Sequence, residues 1–188
     1  MHKEEQLRHI VRKTRFGPAV ILWETRSEKP MVRQILISRA GQPAETVLKE
    51  QFPDSVPTPC GLIDDLAGRI AAFLDGADVR FALGPVQLDL CPTFQRRVLL
   101  AEYGIPRGSV STYGRMAAHL GIPGGARAVG NALATNPFPI VIPCHRAIRS
   151  DGTLGGYQGG LAMKKALLIQ EGIDVDGKGR VVSPRLYY

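Results

Sequence analysis

Apolar positions follow two different periods along this chain. Between residues 19 and 37 they form two short runs rich in β-branched side chains, Ala19-Val20-Ile21-Leu22-Trp23 and Val32 to Ile37, with the polar stretch Glu24 to Pro30 between them. Such runs predict a hairpin of two strands, and the spacer predicts a loop longer than a tight turn. From residue 62 the period becomes helical. Leu62, Ile63, Leu66, Ile70, Phe73 and Leu74 recur on one face, Asp64, Asp65 and Arg69 fall on the other, and Gly76 closes the helix. Residues 1–15 are polar and basic and read as a short helix or a frayed arm. Residues 40–60 are proline-rich and predict a helical fragment at most around Ala44 to Glu50. Phe81 to Leu90 reads as extended chain interrupted at Gly84-Pro85.

A second region begins near Pro92. Thr93 is a candidate N-cap for a helix through Tyr103, which Gly104 ends. Thr112 caps Tyr113 to Leu120, with Met116, Ala117 and Leu120 as the apolar stripe. Gly121-Ile122-Pro123-Gly124-Gly125 breaks the chain, and Ala126 to Ala134 follows with Val129, Ala132 and Leu133 inward. Helix, glycine-containing turn, helix is a helix-turn-helix arrangement. The small side chains on its second helix let a backbone approach something bulky. That leaves two readings, a recognition helix lying against DNA or close packing on another helix. A helix from Leu161 to Glu171 ends at Gly172, and Ile173 to Tyr188 reads as a turn plus a loosely attached strand. The division predicted is residues 1–90 and residues 91–188.

Charge narrows the class of partner. The net charge is +7 and the isoelectric point about 9.6, which favours a polyanion. With 44% hydrophobic and 22% charged residues the chain has the composition of a folded globular protein rather than a disordered one. No apolar run reaches the ~18–20 residues that cross a bilayer, and Met1-His2-Lys3-Glu4-Glu5 is not a secretory signal. The expectation is a protein of the cytoplasm, or of the nucleus in a eukaryote, with no membrane partner. Cys60, Cys91 and Cys144 form no CxxC pair, so neither a disulfide framework nor a zinc ribbon is indicated. His2 and His9 have no partners at ligand spacing, and no metal or cofactor is expected.

Chemistry concentrates in Asn136-Pro-Phe-Pro-Ile-Val-Ile-Pro-Cys-His-Arg146. Its prolines exclude a central strand or helix and stiffen the backbone. A cysteine held there beside His145 and Arg146, in a basic chain, is a reactive-thiol environment, whereas Cys60 and Cys91 read as inert, semi-buried residues. The glycines at 152, 155, 156, 159 and 160 build a loop with little side-chain bulk around Tyr157, suited to the wall of a narrow pocket.

Pro143-Cys144-His145-Arg146, preceded by Asn136-Pro137 and followed by Gly155-Gly156-Tyr157 and Gln170-Glu171-Gly172, resembles the methylated-DNA–protein-cysteine methyltransferase (O6-alkylguanine-DNA alkyltransferase) family. The likeness extends through Tyr113 and Ala126-Arg127-Ala128-Val129-Gly130, densely over residues 92–172 and in outline over residues 15–90. It implies an α+β fold: an amino-terminal ribonuclease-H-like antiparallel sheet with helices, and a carboxy-terminal helical domain with a winged-helix-like helix-turn-helix. It implies monomeric action on double-stranded DNA, with the helix-turn-helix in the minor groove and the damaged base turned out.

The resemblance also implies roles. Cys144 takes the alkyl group from O6-alkylguanine, O4-alkylthymine being a second candidate substrate, and keeps it. His145 draws the thiol proton through a water, and Glu171 orients His145. Tyr113 turns the 3′ phosphate and protonates guanine N3, Arg127 fills the vacated stack, and Ala126 and Ala128 lie against DNA. Asn136 braces the turn ahead of the cysteine, Tyr157 stacks along the pocket, the backbone near Gln158 serves O6, and the carbonyls of Cys144 and Ala147 accept from the exocyclic amine. Glu171 carries a hint of its own. A carboxylate in the last turn of a helix opposes the helix dipole at a cost of ~0.3–1 kcal/mol, so a partner should hold it there. Three other functions compete: a lesion-binding module that transfers nothing, a cysteine hydrolase, and a transcription factor. The presence of Cys144 disfavours the first, the awkward geometry of a directly adjacent Cys-His pair the second, and the proline-stiffened cysteine the third.

Overall fold

The computed structural model describes residues 6–182 and 184–188. Met1 to Glu5, including His2 and the start of the basic arm, and Ser183 lie outside the described residues. Three segments of the first unit, β1 (Arg8–Arg12), β2 (Ala19–Arg26) and β3 (Lys29–Ile37), form an antiparallel meander. A short strand β4 (Val56–Pro57) adds parallel to β1, giving the order β3-β2-β1-β4. Part of the expected helix or frayed arm is therefore a strand. Arg8 and Arg12 disguised it: Arg8 lies over the Trp23 ring at 5.1 Å and Arg12 pairs with Asp64 at 3.5 Å, so long basic stems cover apolar surface while their charged ends stay wet.

The hairpin also differs from expectation. β2 and β3 extend through the polar spacer until Arg26 faces Lys29, and Ser27 and Glu28 form a two-residue turn with φ of 48° and 64°. Two successive left-handed residues match the right-handed twist of the flanking strands, which a turn of ordinary hand would splay. Pairing overrode the poor strand propensity of this stretch. β2 is buried on both faces. Val20 and Leu22 join Leu36, Ala44 and Leu48 in one core cluster, with Ala44 and Leu48 supplied by α1 (Ala44–Gln51). The sheet also packs on α2 (Gly61–Leu74), which buries Ile63, Leu66, Ala67, Ile70, Phe73 and Leu74. Leu62, assigned to that face from its spacing, is 70% exposed.

The chain forms two compact units, Met1–Gln87 and Leu88–Tyr188. In the second unit α3 (Thr93–Tyr103) starts one residue earlier than its predicted cap implies, because Pro92 occupies the cap position. After it come β5 (Ser111–Thr112), α4 (Tyr113–His119) and α5 (Ala126–Ala134). Thr112 caps α4 as its position suggested, its hydroxyl accepting from Arg115 N–H at 3.1 Å. α3 ties down the ends of the helix pair: Arg97 donates to the Leu120 carbonyl, and Gln95 donates to the carbonyls of Ala132 and Thr135. A 3-10 turn at Cys144–Arg146 runs directly into β6 (Ala147–Ile148), which pairs parallel with β5. The last helix, α6, spans Gly160–Gln170.

The tail is anchored rather than loose. Val110 exchanges main-chain hydrogen bonds with Arg185 and Tyr187, Val181 joins the core with Val110, Ile148, Leu154, Leu168 and Ile173, and the Tyr188 hydroxyl donates to the Ala101 carbonyl at 2.7 Å. Among the described residues no helix is long and apolar enough to cross a membrane. The chain is a mixed α+β protein.

Candidate active site around Cys144

Parallel pairing of β5 with β6 sets Thr112 opposite Ile148. Because α4 starts at the next residue and the 3-10 turn ends just before β6, this short ladder brings Tyr113 into the neighbourhood of Cys144 to Arg146. The segment entering the turn is held by Asn136, whose Oδ1 accepts from Phe138 N–H at 2.9 Å and whose Nδ2 donates to the Ile142 carbonyl at 3.2 Å. Asn136 also hydrogen-bonds the Cys144 thiol. Ile140 in this segment has a φ of 75°, a left-handed conformation that costs a β-branched residue roughly 1–2 kcal/mol. Strain of this kind persists where the surroundings over-determine the backbone, as the two Asn136 bonds do here.

Cys144 is 5% exposed. Burial pushes its thiol up to about 11, against which the Asn136 hydrogen bond and the positive charge of Lys164 act downward. This corrects the expected source of activation. The adjacent Arg146 does not serve the thiol; its guanidinium forks onto Glu171, Nε to Oε2 and Nη2 to Oε1, both at 2.8 Å, while Nη1 donates to the Ile105 carbonyl.

His145 is fully buried, and its Nε2 lies 2.9 Å from Glu171 Oε1. Burial lowers its proton affinity, so the ring is neutral near neutral pH. With Glu171 ionised, Nε2 must carry the hydrogen, which leaves Nδ1 as the basic nitrogen. Burial alone would raise the Glu171 carboxyl, but hydrogen bonds and charge from His145 and Arg146 hold it down at about 2. Glu171 itself sits at the cap of α6, just past its last residue. Gly172, at a φ of 82°, donates to Ile169 while Ile173 donates to Leu168. This is a left-handed helix ending that returns the chain to the core through Ile173.

Tyr113 packs against two backbones. A Cβ on Gly155 would lie 2.7 Å from the Tyr113 hydroxyl, and one on Gly130 would lie 3.9 Å from the ring. Only glycine at 155, which also has a φ of 68°, admits the tyrosine so closely. Burial, then the nearby Glu102 and Cys144, push the Tyr113 phenol up to about 12, so it stays protonated. Tyr157 meets His145 edge to face at 6.3 Å, and burial raises its phenol as well. Gln158 donates to the carbonyls of Ala134 and Asn136 at 3.1 and 2.8 Å, fastening the glycine loop to the end of α5. Arg127 and Ala128 are exposed on α5, and Ala126 is half-buried there.

Two ionisable side chains of the site were missed in the sequence. Lys164 is fully buried and donates to the Ala147 carbonyl at 2.5 Å, a carbonyl expected to face the substrate amine. Glu102 is also fully buried. A signal existed for both. Lys164 shares a helical face with Leu167, Leu168 and Glu171, and Glu102 shares one with Val98 and Leu99, so each charge sits where the period demands an apolar residue. Among the described residues no group of three or more His, Cys, Asp or Glu side chains could hold a metal ion.

The family model described as 6-O-methylguanine DNA methyltransferase, DNA binding domain, matches residues 93–173. A methylated-DNA–protein-cysteine methyltransferase of Methanothermobacter thermautotrophicus is 47% identical over 131 residues, covering 70% of this chain and 72% of that protein. The chain belongs to the methylated-DNA–protein-cysteine methyltransferase family. Two crystal structures from Mycobacterium tuberculosis share the fold. The O6-methylguanine methyltransferase superposes with a TM-score of 0.70 at 29% identity, and the OGT in complex with DNA with a TM-score of 0.66 at 30% identity. Each match covers 88% of this chain and 93% of the other. In a member of this family, the buried sulfur, the imidazole beside it in sequence and the carboxylate forked by Arg146 form one candidate reaction centre.

Proposed function

We propose that this protein repairs DNA directly, moving the alkyl group of O6-alkylguanine onto Cys144 in a single irreversible turnover after the damaged base is flipped out. The observation that carries this reading is the polarised Arg146–Glu171–His145 array beside a thiol that burial keeps protonated. A sulfur in that state needs a base, and a neutral imidazole with its other nitrogen tied to a carboxylate is one. The thiol proton passes to His145 Nδ1 through one water. The sulfur then attacks the alkyl carbon, forming the S–C bond as the C–O6 bond breaks, and its electron pair leaves with guanine. Tyr113 gives guanine a proton at N3 and is re-protonated from the imidazolium through solvent. A thioether does not hydrolyse under mild conditions, so the sulfur stays capped.

Double-stranded DNA is the partner that the basic chain and the DNA-bound relative support. Exposed Arg127 fills the space that the base vacates, while Ala126 and Ala128 let α5 lie close to the duplex. Asn136, Tyr157, Gln158 and the Ala147 main chain frame the extruded base. Every one of these site residues belongs to the second unit of one chain, consistent with action as a monomer. On this reading the first unit is ribonuclease-H-like and the second, with β5 and β6 beside the helix pair, winged-helix-like.

Intact-mass measurement after mixing with a duplex containing O6-methylguanine tests the proposal. The expected result is one added methyl, located at Cys144, with an equal molar amount of DNA repaired. A Cys144→Ala variant should bind the duplex and gain nothing. Unchanged mass of the unmodified protein with tight binding, or repair of many lesions per molecule, would overturn it.

A further inference from the structure

The carbonyl end of α5 is closed by side chains that come from other elements. The last four carbonyls of a helix have no partner within it, and in α5 they belong to Asn131, Ala132, Leu133 and Ala134. Asn136 N–H donates to Leu133, and the Thr135 hydroxyl donates back to Asn131. The other two are met by carboxamides. Gln95 of α3 donates to Ala132 at 3.1 Å and to the Thr135 carbonyl at 3.0 Å. Gln158 of the glycine loop donates to Ala134 at 3.1 Å and to the Asn136 carbonyl at 2.8 Å. The helix end is thus gripped from two sides, by one glutamine on a helix and one on a loop.

The two grips differ in what they hold. α3 and α5 already pack together, so Gln95 adds a tie between elements that other contacts keep in place. Residues 155–160 carry four glycines among six positions. Glycine loses more conformational freedom on ordering than any other residue, so such a stretch needs bonds to keep one shape. Gln158 supplies two, and the Asn136 carbonyl is the more telling acceptor. The side chain of that same residue holds the Phe138 N–H and the Ile142 carbonyl ahead of Cys144. The glycine loop, the end of α5 and the segment leading to the cysteine therefore meet at Asn136. Resting on the alkyl-transfer reading, we propose that Gln158 is a positioning residue: its carboxamide locks the glycine loop to α5, so that the helix docked on DNA and the wall that receives the flipped base move as one piece. Misplacing reacting groups by about 1 Å can cost ~10²-fold in rate, which is what such a lock prevents. The lock requires N–H donors. A glutamate of the same shape offers none, and its charge opposes the negative end of the helix dipole.

Single-turnover methyl transfer from an O6-methylguanine duplex separates the limiting rate at saturating DNA from the DNA concentration that gives half of it. In Gln158→Leu and Gln158→Glu the limiting rate should fall about tenfold, the factor for one net hydrogen bond lost from the productive geometry. In Gln158→Leu the half-saturating concentration should stay within about twofold of the unmodified protein, because docking itself is untouched. Deuterium uptake by the amides of residues 155–160 should rise in both variants. Gln95→Leu removes bonds from the same helix end without touching the loop. It should lower the urea midpoint yet leave the limiting rate and the uptake of the loop as they are. Equal slowing by Gln95→Leu and Gln158→Leu would overturn the proposal, because closing the helix end would then account for both. An unchanged limiting rate in Gln158→Leu would overturn it as well. Absence of methyl transfer in the unmodified protein would instead overturn the alkyl-transfer reading, and uptake by the loop would still decide the lock: raised in Gln158→Leu it supports the lock, unchanged it refutes it.

Discussion

Replacing Glu171 by glutamine is the most informative single change, because one carboxylate carries the imidazole, the guanidinium and the end of α6 together. Both of its oxygens are engaged, by Arg146 at 2.8 Å and by His145 at 2.9 Å, and its side chain is fully buried. The folded protein holds this carboxyl at about 2, against an ordinary value of 4.5. At 1.36 kcal/mol for each tenfold change in proton affinity, the difference comes to about 3 kcal/mol of stability at neutral pH. Its sign follows from proton binding. A folded-state value below the unfolded one means that the unfolded chain binds more protons between pH 4.5 and 2. The contribution is therefore complete above about pH 5 and is lost as pH falls toward 2, with about 1.4 kcal/mol remaining at pH 3. Urea unfolding of the native and Glu171→Gln proteins should differ by about 3 kcal/mol at pH 7 and converge as the solution approaches pH 2. The glutamine cannot hold the Nε2–H of His145 as a carboxylate does, so methyl transfer should also slow, by roughly 10²-fold as for a misplaced general base. A stability difference that is the same at pH 7 and pH 3 would refute the electrostatic account of this array, whatever happened to the rate.

Three further changes test other parts of the structure. Gly155→Ala places a methyl 2.7 Å from the Tyr113 hydroxyl at a φ of 68°; it should cost about 1–3 kcal/mol in urea unfolding and slow transfer, and native-like values for both would show that the loop yields freely. The double change Ser27→Asn with Glu28→Gly suits the left-handed turn at 48° and 64° and should raise stability by about 1 kcal/mol with no change in transfer; an unmoved urea midpoint would contradict the reading of that turn. Arg127→Ala, at an exposed position, should leave the unfolding curve and the iodoacetamide reaction of Cys144 alone while slowing repair of duplex DNA; equal repair rates would remove Arg127 from the flipping step.

How much was legible from sequence depended on whether a residue's role was local. Ala126–Ala134 forms the predicted helix residue for residue, and Thr112 caps α4, because helical period and capping chemistry act within a few positions. β1 was illegible because a strand made of Arg-His-Ile-Val-Arg is specified by its neighbours, β2 and β4, rather than by its own composition. The tail looked loose for the same reason: its bonds reach back to Ala101, Val110 and Ser111.

The candidate reaction centre divides along the same line. The order of residues around Cys144 was enough by itself to indicate the sulfur, the imidazole and a carboxylate in need of a partner at the end of the last helix. What only the three-dimensional packing decided is where each charge goes. Arg146, adjacent to the cysteine turn's histidine, serves Glu171 instead of the thiol, and Lys164 and Glu102, distant in sequence, are the charges that the thiol senses. Bonded neighbours in a tight turn point in different directions, whereas electrostatic energy depends on separation and burial, and those distances exist only once α3, α6 and the β5–β6 pair have closed around the sulfur.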